Sequence, residues 1–113
     1  MATKLVLFVQ SNAKESHRAC EGIRVALGLA ACNLTVDLIL SSGASVLLTD
    51  DIDECVDCEL AKQYLSSLIK FIPTIYVEQR GDLPFLQNEY QVLFLNQDEI
   101  EKKISCAECV VRF

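Results

Sequence analysis

Apolar and polar residues alternate in blocks along the first half of the chain. Two short apolar runs, Lys4 to Val9 and Leu34 to Leu40, flank a segment whose apolar residues recur with helical periodicity. This order predicts a βαβ unit, and the right-handed crossover rule makes its two strands parallel neighbours in one sheet. In open α/β sheets, ligands and chemistry collect where strands end. We therefore expect function in the loops after Val9, after Leu40 and after Val77.

Polar spacings predict where the helices begin. The first helix is predicted from about Asn12 to Cys32, because Asn12 and Glu15 have the spacing of a capping box. Asp51 and Glu54 have the same spacing and predict a second helix, whose apolar stripe continues to Ile72. The strands lack strict apolar and polar alternation, which indicates a mainly parallel sheet of about five strands covered on both faces. The remaining predicted elements are a short helix from Gly43 to Leu48, strands from Thr74 to Val77 and from Gln91 to Leu95, a turn from Gly81 to Pro84, a brief helix capped by Asn96 with Glu99, and a last strand from Cys109 to Phe113.

Length and charge narrow the classes of function. A chain of 113 residues suffices for one sheet with its helices, so residues 1–113 are predicted to form a single domain. A net charge of −6 argues against binding to nucleic acid or anionic membranes and leaves proteins or small molecules as partners. The sequence shows no pattern typical of a signal peptide or of a membrane-inserted segment, and we therefore expect a cytoplasmic protein. The hydrophobic share of 51% predicts an oligomer that covers part of its apolar surface.

Two CxxC pairs are the most suggestive chemical feature, Cys55 with Cys58 and Cys106 with Cys109. By spacing alone they resemble the halves of a four-cysteine zinc or iron–sulfur site. The predicted topology places the two pairs at opposite edges of the sheet, so no metal and no cofactor is expected within one chain. The first pair suits redox chemistry because a helix N-terminus stabilises a thiolate, but the surrounding carboxylates oppose ionisation. The simpler interpretation of each pair is packing, since free cysteine behaves as a small hydrophobe.

Each of the other candidate residues has both a structural and a functional interpretation. Cys20 and Cys32 lie on or near the first helix and are predicted to pack. His17 is predicted near the edge where the first strand ends, as a catalytic or anion-binding group would be, and Ser42 with Gly43 precede a short helix that could present backbone N–H groups to an anion. The alternative for His17 is a surface histidine without a role, and the alternative for Ser42 and Gly43 is an ordinary turn.

With these residues in view, the chain resembles the DsrE/DsrF-like superfamily. Glu21-Gly22-Ile23 through Ala30-Ala31 and the stretch from Val36 to Leu48 are similar to the DsrF (TusC) branch, with its helix, strand and "DGV…LL" run. The end of the chain, Cys109 to Phe113, resembles the terminal strand of that branch. Residues Ile72 to Leu86 look more like the DsrH (TusB) branch, so the resemblance covers nearly the whole chain and leaves the branch open.

The resemblance implies a three-layer α/β/α fold of flavodoxin-like topology and a role in intracellular sulfur relay or sulfur oxidation. It also implies trimers, hexamers or hetero-oligomers that act on sulfur-carrier proteins through a persulfide cysteine after strand three. Glu78 stands at or next to that position here, and a carboxylate cannot hold a persulfide. Either the protein is a noncatalytic or accessory subunit, not an enzyme on its own, or another thiol has the role, with Cys55 or Cys58 the first choice and Cys20 the second. The alternative is a thiol or metal protein that uses its two CxxC pairs.

Overall fold

The structure is a computed structural model that describes residues 4–79 and 90–113. The strands within these residues are β1 (Lys4–Val9), β2 (Thr35–Leu40), β3 (Thr74–Glu78), β4 (Gln91–Leu95) and β5 (Cys109–Arg112). The α-helices are α1 (Arg18–Ala31), α2 (Cys58–Leu68) and α3 (Gln97–Cys106), and two short 3₁₀ helices cover Ser45–Leu48 and Asp50–Glu54. None of the helices in the described part of the chain has the length and apolarity needed to cross a membrane.

The five strands form one parallel sheet in the order β4-β3-β2-β1-β5. Leu5 near the start of β1 is level with Val36 of β2 on one side and with Cys109 of β5 on the other. All five strands therefore end at the same edge of the sheet. The predicted βαβ unit is confirmed, since β1 and β2 are parallel neighbours joined by α1.

Helices cover both faces of the sheet and give two apolar cores. Alternate β1 residues point to opposite faces, so Leu5, Leu7 and Val9 pack with α1 and α2, while Val6 and Phe8 pack with α3. The first core is the larger, and its completely buried side chains include those of Ile23, Leu65 and Leu68. The second core is centred on Ile100 of α3, with Ile39 and Leu95 from the sheet. The predicted α/β class, with helices on both faces, is confirmed.

The predicted start of the first helix at Asn12 is wrong. The Asn12 side chain accepts a hydrogen bond of 2.9 Å from the backbone N–H of Lys14, which closes a local turn in place of a cap. Helix α1 begins six residues later at Arg18, and its N-cap residue His17 makes no side-chain capping bond.

The predicted cap of the second helix is also wrong. Thr49, not Asp51, caps this segment by accepting the Asp51 N–H at 3.1 Å, and the residues after Thr49 form a 3₁₀ helix. Helix α2 starts only at Cys58, after Asp57 adopts left-handed geometry with φ 58°. The third predicted capping box is confirmed, because Asn96 and Glu99 exchange hydrogen bonds at the start of α3.

Smaller boundaries shift by a few residues. Helix α2 ends at Leu68 although Ile72 is buried, because the chain turns ahead of Pro73. The short helix predicted from Gly43 is the 3₁₀ helix Ser45–Leu48, β3 reaches Glu78 instead of Val77, and β5 ends at Arg112. The turn predicted from Gly81 to Pro84 lies outside the described residues.

Candidate functional site

The two CxxC pairs lie at opposite edges of the sheet, as the sequence predicts. Cys55 is next to Val56, whose backbone N–H donates at 3.0 Å to the carbonyl of Ala13, just beyond the end of β1. Cys109 opens β5 and is level with Leu5 near the start of β1. A strand of this length separates the two edges by roughly 17–20 Å. One chain therefore does not bring the four thiols to a shared metal, whose bonds to sulfur are about 2.3 Å long.

Cys55 of the first CxxC pair is not arranged as an activated thiol. Cys55 is only 6% exposed, and burial raises the pKa of its thiol, against a smaller lowering effect of Lys14. That lysine is itself engaged, because its Nζ lies 3.7 Å from a carboxylate oxygen of Glu54. Cys55 also lies before the first residue of α2, which is Cys58, so the N-terminus of the helix is not at the Cys55 sulfur. Cys58 is half-buried and packs against the larger core.

Cys20 lies beside this pair and packs, as predicted. Its sulfur is 4.0 Å from the backbone carbonyl of Asp57, to which the thiol donates. Burial raises the pKa of Cys20, and the negative charges of Asp57 and Glu21 raise it further. The residue is 4% exposed, so neither its ionisation nor its access to solvent favours reaction.

Three other thiols are exposed, those of Cys32, Cys106 and Cys109. The packing predicted for Cys32 and for the second CxxC pair is therefore wrong. Cys32 lies one residue beyond the end of α1, and Cys106 is the last residue of α3, so neither is held on the apolar stripe of its helix.

A mixed group of one thiol and two carboxylates lies at the start of α2. Ligand atoms of Asp53, Cys58 and Glu59 are within 4.8 Å of one another, the one such group of three in residues 4–79 and 90–113. The ammonium of Lys62 occupies the same place: it forms an ion pair with Asp53 and lies 3.6 Å from Glu59. A cation of the chain itself thus balances these carboxylates.

The residues predicted to bind an anion lie near the edge where the strands end, in ordinary turns. The backbone N–H groups of Ala44 and Ser45, which follow Gly43, both donate to the carbonyl of Ser41. Ser42 is exposed, and its carbonyl accepts a hydrogen bond of 2.8 Å from the Ser45 hydroxyl. His17 is exposed at the start of α1. Anion binding by these three residues stays a prediction.

Glu78 lies in a cavity at the edge where the strands end. It is the last residue of β3, half-buried, and its side chain lines a space of about 560 Å³ between the sheet and α3. The other lining residues come from the end of β1, the end of β5 and one side of α3: Phe8, Gln10, Gln97, Ile100, Glu101, Ile104, Ser105 and Arg112. We call this space the switch cavity.

Sequence reasoning found Glu78 but missed the residues that share its cavity. Gln10 and Arg112 are about a hundred positions apart and meet only because β5 pairs with β1. The available signal was weak: Gln10 directly follows a buried strand, where α/β proteins place functional groups. The position of Arg112 depends on the strand order, which no local pattern in the sequence contains.

Comparisons with known proteins give a likeness in structure. No protein-family profile matches the chain, and no curated protein matches it in sequence. The crystal structure of the YchN protein from Escherichia coli is similar to it with a TM-score of 0.75 and 20% sequence identity, over 98% of this chain and 99% of that one. The predicted fold is confirmed. At this level of identity the likeness concerns the fold alone.

Proposed function

We propose that this protein is a DsrE/F-like component of intracellular sulfur relay that acts as a noncatalytic or accessory subunit through protein contacts. The observation that carries the proposal is Glu78, which ends β3 and lines the switch cavity where the resemblance expects a persulfide cysteine. The fold shared with YchN supports the resemblance independently of the sequence motifs. A carboxylate at this place leaves the sulfur-carrying step to a thiol of another subunit.

The burial of Cys20 and Cys55 and the position of the three exposed thiols support the same proposal. A thiolate is the form that attacks a persulfide or disulfide sulfur. Burial raises the pKa of both Cys20 and Cys55, so each is held in the unreactive thiol form. The exposed thiols Cys32, Cys106 and Cys109 belong to the segments around the starts of β2 and β5, at the edge of the sheet opposite Glu78.

Protein contacts are supported by the apolar side chains left on the surface. Leu60, Phe71 and Leu93 are 45%, 52% and 54% exposed, and they belong to α2, to the segment after it and to β4. Burial of such side chains in a homo-oligomer, or in a hetero-oligomer with subunits that carry the missing cysteine, would stabilise the assembly. Trimers or hexamers remain the assemblies that the resemblance implies.

Enzymatic sulfur loading tests the proposal. The triple variant C32S/C106S/C109S removes the exposed thiols, which would otherwise react unspecifically, and retains Cys20, Cys55 and Cys58. After incubation with a cysteine desulfurase and cysteine, peptide mass spectrometry is expected to find no persulfide on the three remaining cysteines. Stoichiometric label on Cys55 or Cys58 would instead make the protein a sulfur carrier.

A further inference from the structure

The switch cavity lies where parallel α/β sheets bind ligands. Strands β1 to β4 follow one another across the sheet in one direction, whereas β5 is added on the other side of β1. The direction of the chain therefore reverses between β1 and β5. Ligands of open α/β sheets bind outside the ends of the strands at such a reversal. Gln10, just after β1, and Arg112, at the end of β5, both line the cavity.

The crevice is closed on the α1 side of the sheet. Gly22 of α1 lies so close to the strand ends that a Cβ there would be 2.7 Å from Val9 Cγ2 and 3.3 Å from Phe113 Cβ. The Ser11 hydroxyl and backbone N–H both donate to the carbonyl of Phe113, at 2.8 and 3.1 Å. Packing and hydrogen bonds thus join the ends of β1 and β5 on this side, and the open space is on the α3 side.

The cavity carries charges of both signs that the described residues do not neutralise. Within residues 4–79 and 90–113, neither the Glu78 carboxylate nor the Arg112 guanidinium forms an ion pair, with each other or with another side chain. The guanidinium instead lies 5.9 Å from the centre of the Phe8 ring. Glu101 adds a second carboxylate, which accepts a weak hydrogen bond of 3.4 Å from the Gln97 amide. Such unpaired charges around one cavity favour a ligand that brings the opposite charges with it.

The floor of the cavity is apolar. Phe8 and Ile100 are 6% and 1% exposed, and Ile104 is half-buried beside them. A volume of about 560 Å³ lies in the range of roughly 300–1,000 Å³ that is usual for small-molecule pockets. A ligand with a short aliphatic part would cover this floor while its polar ends reach the rim.

From these observations we infer that the switch cavity binds a small zwitterion of the α-amino acid class. Its ammonium group pairs with Glu78 and Glu101, its carboxylate pairs with Arg112 and accepts a hydrogen bond from the Gln10 amide, and its side chain covers Phe8 and Ile100. A purely anionic ligand would face two carboxylates, and a purely cationic ligand would leave the guanidinium unmatched. The inference does not rest on the sulfur-relay proposal, since it uses only the charges and shape of this cavity.

Calorimetric titration of the full chain with three probes tests this assignment. L-Leucine carries both charged groups, N-acetyl-leucine lacks the ammonium, and leucinamide lacks the carboxylate. L-Leucine is expected to bind at millimolar concentration or below, and each of the other probes about tenfold or more weakly, because each loses one charged contact. Absence of heat from L-leucine at millimolar concentration would overturn the assignment, as would equal binding of all three probes.

Two variants locate the binding to the cavity and assign the orientation. Glu78→Gln is expected to weaken L-leucine and leucinamide by about tenfold, because their ammonium groups lose one of two carboxylate partners, and not to weaken N-acetyl-leucine, which no longer faces that carboxylate. Arg112→Gln is expected to weaken L-leucine and N-acetyl-leucine and not to weaken leucinamide, whose charge has the same sign as the guanidinium. The control is Glu108→Gln, an exposed carboxylate just before β5 at the opposite edge of the sheet. An equal effect of the control, or an equal loss of all three probes in either cavity variant, would refute the site.

Discussion

Replacement of each of the two glycines of α1 by alanine distinguishes the effect of close packing on stability from the effect of helix propensity. Gly22→Ala would place a methyl group 2.7 Å from Val9 Cγ2, and Val9 is completely buried and stiff at χ1, so it has little room to move. Overpacking of this kind costs about 1–3 kcal/mol. Gly28→Ala meets nothing within 4 Å, so it gains only the helix preference of alanine, about 0.5–1 kcal/mol. Both variants share that gain, so their free energies of unfolding should differ by the packing cost of about 1–3 kcal/mol.

Thermal and urea unfolding of the two variants beside the parent protein measures this difference. Gly28→Ala is expected to unfold at a higher temperature than the parent, and Gly22→Ala at least about 4 °C below Gly28→Ala. An additional loss of L-leucine binding in Gly22→Ala would show that the closed α1 side of the crevice also supports the switch cavity. A Gly22→Ala variant as stable as Gly28→Ala would refute the close contact between α1 and the ends of β1 and β5.

Three further results are expected. Cys55→Ser should lower the free energy of unfolding by about 1–2 kcal/mol because a hydroxyl replaces a buried thiol, whereas substitution of the exposed Cys106 by serine should be neutral. Neither variant should require added zinc to fold, and collapse of the thermal transition together with loss of bound zinc would favour the metal alternative. Asn96→Ala should cost about 1 kcal/mol through loss of the α3 cap, against no measurable loss for the exposed Lys102→Ala on the same helix. Light scattering at micromolar concentration should give a mass well above the 12.6 kDa of one chain, and a monomer would contradict the proposed assembly.

The strands were predictable because their signal is local. The runs Lys4–Val9, Thr35–Leu40 and Gln91–Leu95 are mainly apolar and of strand length, so their position and type follow from the local pattern. The starts of the first two helices were not, because the Asn12 side chain closes a local turn instead of capping a helix, and Thr49, not Asp51, caps the residues that follow it. Spacing does not reveal which of these alternatives a polar side chain adopts.

The candidate site also has features that the sequence predicts and features that it does not. The separation of the two CxxC pairs followed from the order of strands and helices alone, and the structure confirms it. The exposure of Cys32 and Cys106 does not follow from that order, since it depends on where each helix ends. The shared cavity of Glu78 and Arg112 depends on β5 lying beside β1, a long-range pairing that local periodicity does not encode.

The most direct test of the sulfur-relay proposal restores a thiol at the position of Glu78. In the C32S/C106S/C109S background, Glu78→Cys places a cysteine at the end of β3, in the cavity that also holds the Arg112 guanidinium, which favours a thiolate. Desulfurase and cysteine are added to this variant and to its parent, and persulfide is mapped by mass spectrometry. The account predicts persulfide on residue 78 of the variant and none on the parent. Label on Cys55 or Cys58 of the parent, or a variant that stays unlabelled at residue 78, would contradict it.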